Sequence, residues 1–173
     1  MSRALVIIDV QANLFDEPRA DRIGEVATIL ERKAAEARAA GAPVIFVQHE
    51  EAGCEWERGT PGWEFHPSLS PKPGDTVVAK SFCDGFRDTD LAAVLQRLGV
   101  DGIVVGGYAS DFCVDTTIRA AASRGIPATV IADGHTTSSR PHLPAADVVR
   151  HHTWVWSRFD ALVSVAHAED IVF

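Results

Sequence analysis

The 173-residue chain predicts an α/β fold, a doubly wound and mostly parallel sheet of six strands with helices on both faces, in three α/β/α layers. Three observations carry that prediction. Short apolar, β-branched runs recur along the whole chain. Each run is continuous rather than alternating, the pattern of strands buried on both faces of a parallel sheet. Segments with helical periodicity separate them, as the right-handed crossovers between parallel strands require.

The first run, ALVIIDV at 4–10, reads as a strand rather than a signal peptide, because its apolar stretch is short and ends in Asp9 with no small-residue cleavage site. Ile23, Val26, Ala27, Leu30, Ala34 and Ala37 then repeat at i, i+3, i+4, and Gly41-Ala42-Pro43 stops that helix. PVIFVQ at 43–48 and DTVVAK at 75–80 are the next two strands. The long stretch 50–74 between them has no periodicity, and an irregular segment of that length inside a compact domain is usually functional. Leu91, Val94, Leu95 and Leu98 mark a second helix, ended by Gly99. DGIVVGG at 101–107 is the fourth strand, 112–124 a third helix, PATVIAD at 127–133 the fifth strand, 143–153 a fourth helix, and ALVSVA at 161–166 the last strand. With no internal repeat or linker, residues 1–173 read as one domain.

An apolar fraction of 46% and a charged fraction of 23% are those of an ordinary globular protein. The net charge of -8 argues against nucleic acid or an anionic membrane as partner, since both need a basic face; a small uncharged or cationic ligand is easier to accept. No apolar run reaches the length of a membrane span. Cys54, Cys83 and Cys113 cannot all pair, and none forms a C-x-x-C. That favours a reducing compartment, the cytoplasm, and one thiol of special interest.

In an open α/β sheet the site lies beyond the carboxyl ends of the strands. Asp9 and Gln11 follow the first strand, Gln48-His49 end the second, Lys80 ends the third, and the loop carrying Cys113 follows the fourth. Asp133-Gly134-His135 end the fifth. An acid, a lysine and a thiol thus converge on one crevice. A cysteine in the first turn of a helix faces unpaired N–H groups and positive potential, so its pKa is expected to fall, and Lys80 nearby would lower it further. Asp9 would move the thiol proton, and N–H groups around 109–113 would hold an oxyanion. These parts describe acyl transfer through a thioester. Taken singly, each residue also has a plain structural role available: a buried core cysteine, a strand-end cap, a surface lysine.

The segments ALVIIDVQ, GTPGWEFHP, VVAKSFCDGF, GGYASDFCVDTT and ADGHTT, in order from residue 4 to about 153, resemble the isochorismatase-like cysteine hydrolases, the superfamily of nicotinamidase and N-carbamoylsarcosine amidase. The resemblance implies a catalytic triad of Asp9, Lys80 and Cys113, a cis peptide at Tyr108–Ala109, and an oxyanion hole from the backbone of Ala109 and Cys113. It implies a small amide or carbamoyl substrate and a homo-oligomer, a dimer or larger. Trp154 and Trp156, together with Arg140, His142 and Arg158, are candidates for a subunit interface or for the core.

Departures from the family pattern shape the rest. The Asp-x-His of the metal-binding nicotinamidases is absent; His49, Glu50 and His66 are ligand types without that spacing, so neither metal nor other cofactor is expected. Ser110 stands where Thr is usual, and SSRPHLP over 138–144 replaces an acidic and aromatic stretch. Gln11, Trp63, Phe82, Tyr108 and Phe112 are the expected substrate pocket, with Phe86 a further nearby aromatic. Two readings compete with hydrolysis: a catalytically silent small-molecule-binding protein on the same scaffold, and a nucleotide-binding oxidoreductase. The second lacks any G-x-G-x-x-G after a strand.

Overall fold

The structure, a computed structural model, describes residues 2–16 and 19–173. Its strands are β1 (Arg3–Ile8), β2 (Val44–His49), β3 (Thr76–Lys80), β4 (Gly102–Tyr108), β5 (Ala128–Thr136) and β6 (Val163–Ala166). They form one sheet in the order β3-β2-β1-β4-β5-β6, every pair parallel. Side chains alternate between its two faces. Ala4, Val6 and Ile8 of β1 enter one core while Leu5 and Ile7 enter the other, which is why the run has no polar position.

Helix α1 (Ile23–Ala39) covers the Leu5 face with Val26, Leu30 and Ala34. Helices α2 (Leu91–Arg97), α3 (Asp115–Ser123) and α4 (Ala145–Phe159) cover the other through Leu91, Ile118 and Trp156. Each large side chain so buried contributes about 1.5–3 kcal/mol. On the α1 side, Leu69 of the long segment and Ala168 and Ile171 near the C-terminus complete the core. Lys33 is buried there, and its ammonium donates to the carbonyls of Ala168 and Ile171.

Three boundaries differ from the sequence expectation by three residues or more, each for a local reason. The third helix starts at Asp115 rather than 112, because Ser110–Val114 forms a π-helical turn in which the Val114 N–H reaches the Ala109 carbonyl at 3.1 Å. The fifth strand continues to Thr136: a bulge between the Val105 and Gly107 pairings lets it carry His135 and Thr136 to the sheet end. The fourth helix runs on to Phe159, since TWVWSRF contains no breaker and Trp156 is fully buried beneath it.

Gly107 shows why the fourth apolar run ends in two glycines. Its φ is +129°, and a Cβ there would lie 2.1 Å from the Ile8 carbonyl oxygen. Only glycine lets β4 run this close to β1, and that closeness sets where the cysteine loop leaves the sheet. The 50–75 stretch contains neither helix nor strand. It folds back over the strand ends, with Phe65 bridged to Gln11 and its ring edge-on to Phe46 at 5.4 Å. Among the described residues no helix is long and apolar enough to cross a membrane.

Candidate active site at the sheet switch point

The strand order reverses direction between β1 and β4, where an open α/β sheet leaves its crevice. Asp9 is the first residue past β1, with φ at +51°, and it is 2% exposed. Lys80, the last residue of β3, starts two strand spacings away, roughly 10 Å. Its stem crosses over the end of β2 and delivers the ammonium 2.6 Å from Asp9 Oδ2. The same Nζ lies 3.2 Å from His49 Nδ1 and 3.2 Å from Cys113 Sγ. An ammonium has three protons and accepts nothing, so all three are committed. The bond to His49 Nδ1 leaves that ring its proton on Nε2.

Asp9 Oδ1 is buried and has no hydrogen-bond partner. Since Sγ accepts from Lys80, the thiol proton points elsewhere. The sequence expectation of an acidified thiol is corrected here. Burial pushes the Cys113 thiol up, the Asp9 carboxylate pushes it further, and Lys80 offsets only part. For Lys80, burial opposes the charge, but Asp9 and Cys113 more than compensate and its pKa is raised. Burial and Lys80 lower the pKa of His49.

The Tyr108–Ala109 peptide is cis. Among the described residues the Ala109 N–H has no hydrogen-bond partner. Ser110 behind it is fully buried, and its Oγ lies 2.8 Å from His135 Nδ1. His135 Nε2 lies 3.1 Å from Thr153 Oγ1, which donates its own proton to the Val149 carbonyl. Thr153 therefore accepts from Nε2–H, and Nδ1 accepts from the Ser110 hydroxyl. Burial and the nearby His152 lower the His135 pKa to about 4, so the ring is neutral. Its ring and that of Trp156 pack in a T-shape with centroids 4.9 Å apart. Asp111 is held in the same loop by Arg140, through Nε to Oδ2 and Nη2 to Oδ1 at 2.8 Å each, and by the Thr137 hydroxyl at 2.6 Å. Neither support stood out in the sequence beyond the position of His135 at a strand end, because both partners come from distant segments.

These elements enclose a crevice of about 330 Å³. Its floor is Asp9, Ala109 and Cys113, its walls are Trp56, Tyr108 and Phe112, and His49, Glu51, Cys83 and Arg140 complete it. Of the expected pocket residues, Tyr108 and Phe112 line it. Gln11, Trp63 and Phe82 do not. Gln11 is fully buried and clamps the backbone of His49 and Trp63. Trp63 sits in the long segment with the Arg58 guanidinium 5.9 Å over its ring, and Phe82 is exposed beneath Arg87 at 3.7 Å. Trp56, from the same aromatic-rich segment as Trp63, takes the wall position instead.

His66 stacks on Phe15 at 3.8 Å and binds Ser68, and Glu50 pairs with Arg58. Among the described residues no three His, Cys, Asp or Glu side chains are grouped to hold a metal ion.

The isochorismatase domain family matches residues 3–165. The chain belongs to the isochorismatase family. A streptothricin hydrolase from Streptomyces noursei is 35% identical over 99% of this chain and 71% of its own length. The ureidoacrylate amidohydrolase RutB of Methylobacterium radiotolerans is 30% identical over 75% of this chain and 65% of its own. Among solved structures, an isochorismatase from Pseudomonas putida superposes with a TM-score of 0.91 at 28% identity, covering 98% of this chain and 90% of that one. Fold and family thus agree with the resemblance read from the five motifs.

Proposed function

We propose that this hydrolase cleaves a carbon–nitrogen bond of a small amide or carbamoyl compound through a thioester on Cys113. One observation carries the reading: Lys80 holds Asp9 at 2.6 Å and Cys113 at 3.2 Å while the other Asp9 oxygen stays free. Asp9 Oδ1 takes the thiol proton as Sγ attacks the carbonyl carbon. The N–H groups of Ala109 and Cys113 receive the oxyanion. Collapse breaks the C–N bond, and Asp9 returns the proton to the departing amine. Water then attacks the thioester, giving a proton to Asp9, and the thiol leaves reprotonated. Lys80 stays cationic throughout and holds the Asp9 carboxylate in place.

The names of two relatives, streptothricin hydrolase and ureidoacrylate amidohydrolase, support hydrolysis as the reaction class and amides as the substrates. Three free cysteines suit the cytoplasm, and Trp154, 63% exposed on α4, suits a homo-oligomer. A high thiol pKa is also what a silent binding protein on this scaffold would show. The test is ammonia or amine release from a panel of small amides and carbamoyl compounds. Cys113→Ala is expected to lose at least about 10⁴-fold in turnover with an unchanged melting temperature. Retained turnover in that variant overturns the reading. Tight binding of panel members with no turnover by the wild type selects the binding protein.

A further inference from the structure

The charges around the crevice do not cancel. Asp9 is matched by Lys80 and Asp111 by Arg140. Burial and the Asp9 carboxylate push the Cys113 thiol up, away from the charged form. Glu51 remains: its side chain is 67% exposed, and among the described residues its one close basic neighbour is His49 Nε2 at 3.7 Å, on a ring whose pKa burial and Lys80 lower. Glu51 also lines an adjoining cavity of about 340 Å³ with Glu50, Glu57 and Arg58. Arg58 pairs with Glu50, which leaves the carboxylates of Glu51 and Glu57 uncompensated there.

The wall beside Glu51 is aromatic. The Glu51 N–H is clipped to the Trp56 carbonyl at 3.1 Å, and the Trp56 ring stacks near Tyr108 with centroids 6.4 Å apart. Aromatic faces attract cations and add nothing for anions. The opposite rim offers no counterweight, because Arg140 gives Nε and Nη2 to Asp111 and lies over the Phe112 ring at 4.9 Å.

We infer that the substrate carries a cationic group, an ammonium or amidinium, which sits between Glu51 and the Trp56 ring while its amide carbonyl meets Cys113. This rests on the hydrolytic reading for the position of the carbonyl, but the charge preference is measurable without turnover. Three methanethiosulfonates report it: a trimethylammonioethyl, a methyl and a sulfonatoethyl reagent, each transferring its alkylthio group to the thiol with loss of methanesulfinate. Initial modification of Cys113 is followed by peptide mass spectrometry, which separates it from Cys83. Each rate is divided by that of a small free thiol at the same pH and salt.

At low ionic strength the cationic reagent is expected to outrun the anionic one by about tenfold, falling to about threefold or less in Glu51→Gln. In the same assay 5-aminovaleramide is expected to protect Cys113 from the neutral reagent at lower concentration than its uncharged isostere hexanamide. Equal rates for the two charged reagents, a ratio unchanged by Glu51→Gln, or equal protection by the two amides overturns the inference. Turnover surviving in Cys113→Ala instead removes the hydrolytic reading and leaves the charge preference standing.

Discussion

Lys80 holds the site together through three donated bonds, to Asp9, His49 and Cys113. Its ammonium and the Asp9 carboxylate are both almost wholly inaccessible to water, so neither tolerates loss of the other. Lys80→Ala strands a buried carboxylate and is expected to destabilise the fold by about 3–5 kcal/mol, read from urea unfolding. A Lys80→Ala protein as stable as wild type would mean the pair is not the buried ion pair described. Asp9, Lys80 and Cys113 were legible in the sequence because strand ends can be found from apolar runs alone, and side chains at strand ends must share the crevice. Of the walls, Tyr108 and Phe112 were legible beside the cysteine loop, and Trp56 was not. Trp56 and Trp63 stand in one irregular segment with no period to say which faces inward, and Gln11 reads as a pocket residue until its amide is seen clamping two backbones.

The elements that brace the cysteine loop are β5 and α4, joined through His135. Its ring is buried and neutral, with a pKa lowered to about 4 against 6.5 in an unfolded chain. As pH falls below 6.5 the unfolded state gains a proton that the native state refuses until about pH 4. This group's contribution is therefore complete above pH 6.5 and is lost between 6.5 and 4, a change of about 3 kcal/mol. His135→Gln is expected to flatten the pH dependence of the melting temperature across that window, checked by calorimetry at a series of pH values. An unchanged slope would place the acid sensitivity elsewhere. Element type and order followed from periodicity, whereas the late start of α3 and the extension of β5 did not. Both depend on close approaches, at Gly107 to Ile8 and in the π turn at Ser110–Val114, that only the assembled sheet imposes.

At the scale of the whole molecule, strand order decides function. Continuous apolar runs predict a parallel sheet, and right-handed crossovers then leave few orders to choose from. In the observed order Asp9 and the cysteine loop flank the switch point as neighbours, and Lys80 reaches them across one intervening strand. The net charge of -8 is spread along the chain, and composition alone could not locate the part of it that borders the crevice.

The central claim is a thioester on Cys113, and nucleophile partitioning tests it most directly. Two amides with the same acyl group, one a primary amide and one an N-methyl amide, are turned over in the presence of hydroxylamine, and the ratio of hydroxamate to acid is measured for each. A shared acyl-enzyme predicts the same ratio from both, because the leaving amine has gone before the choice between water and hydroxylamine is made. Ratios that differ with the leaving amine, or acid formed with no hydroxamate at any hydroxylamine concentration, would contradict a thioester and assign the attack to water.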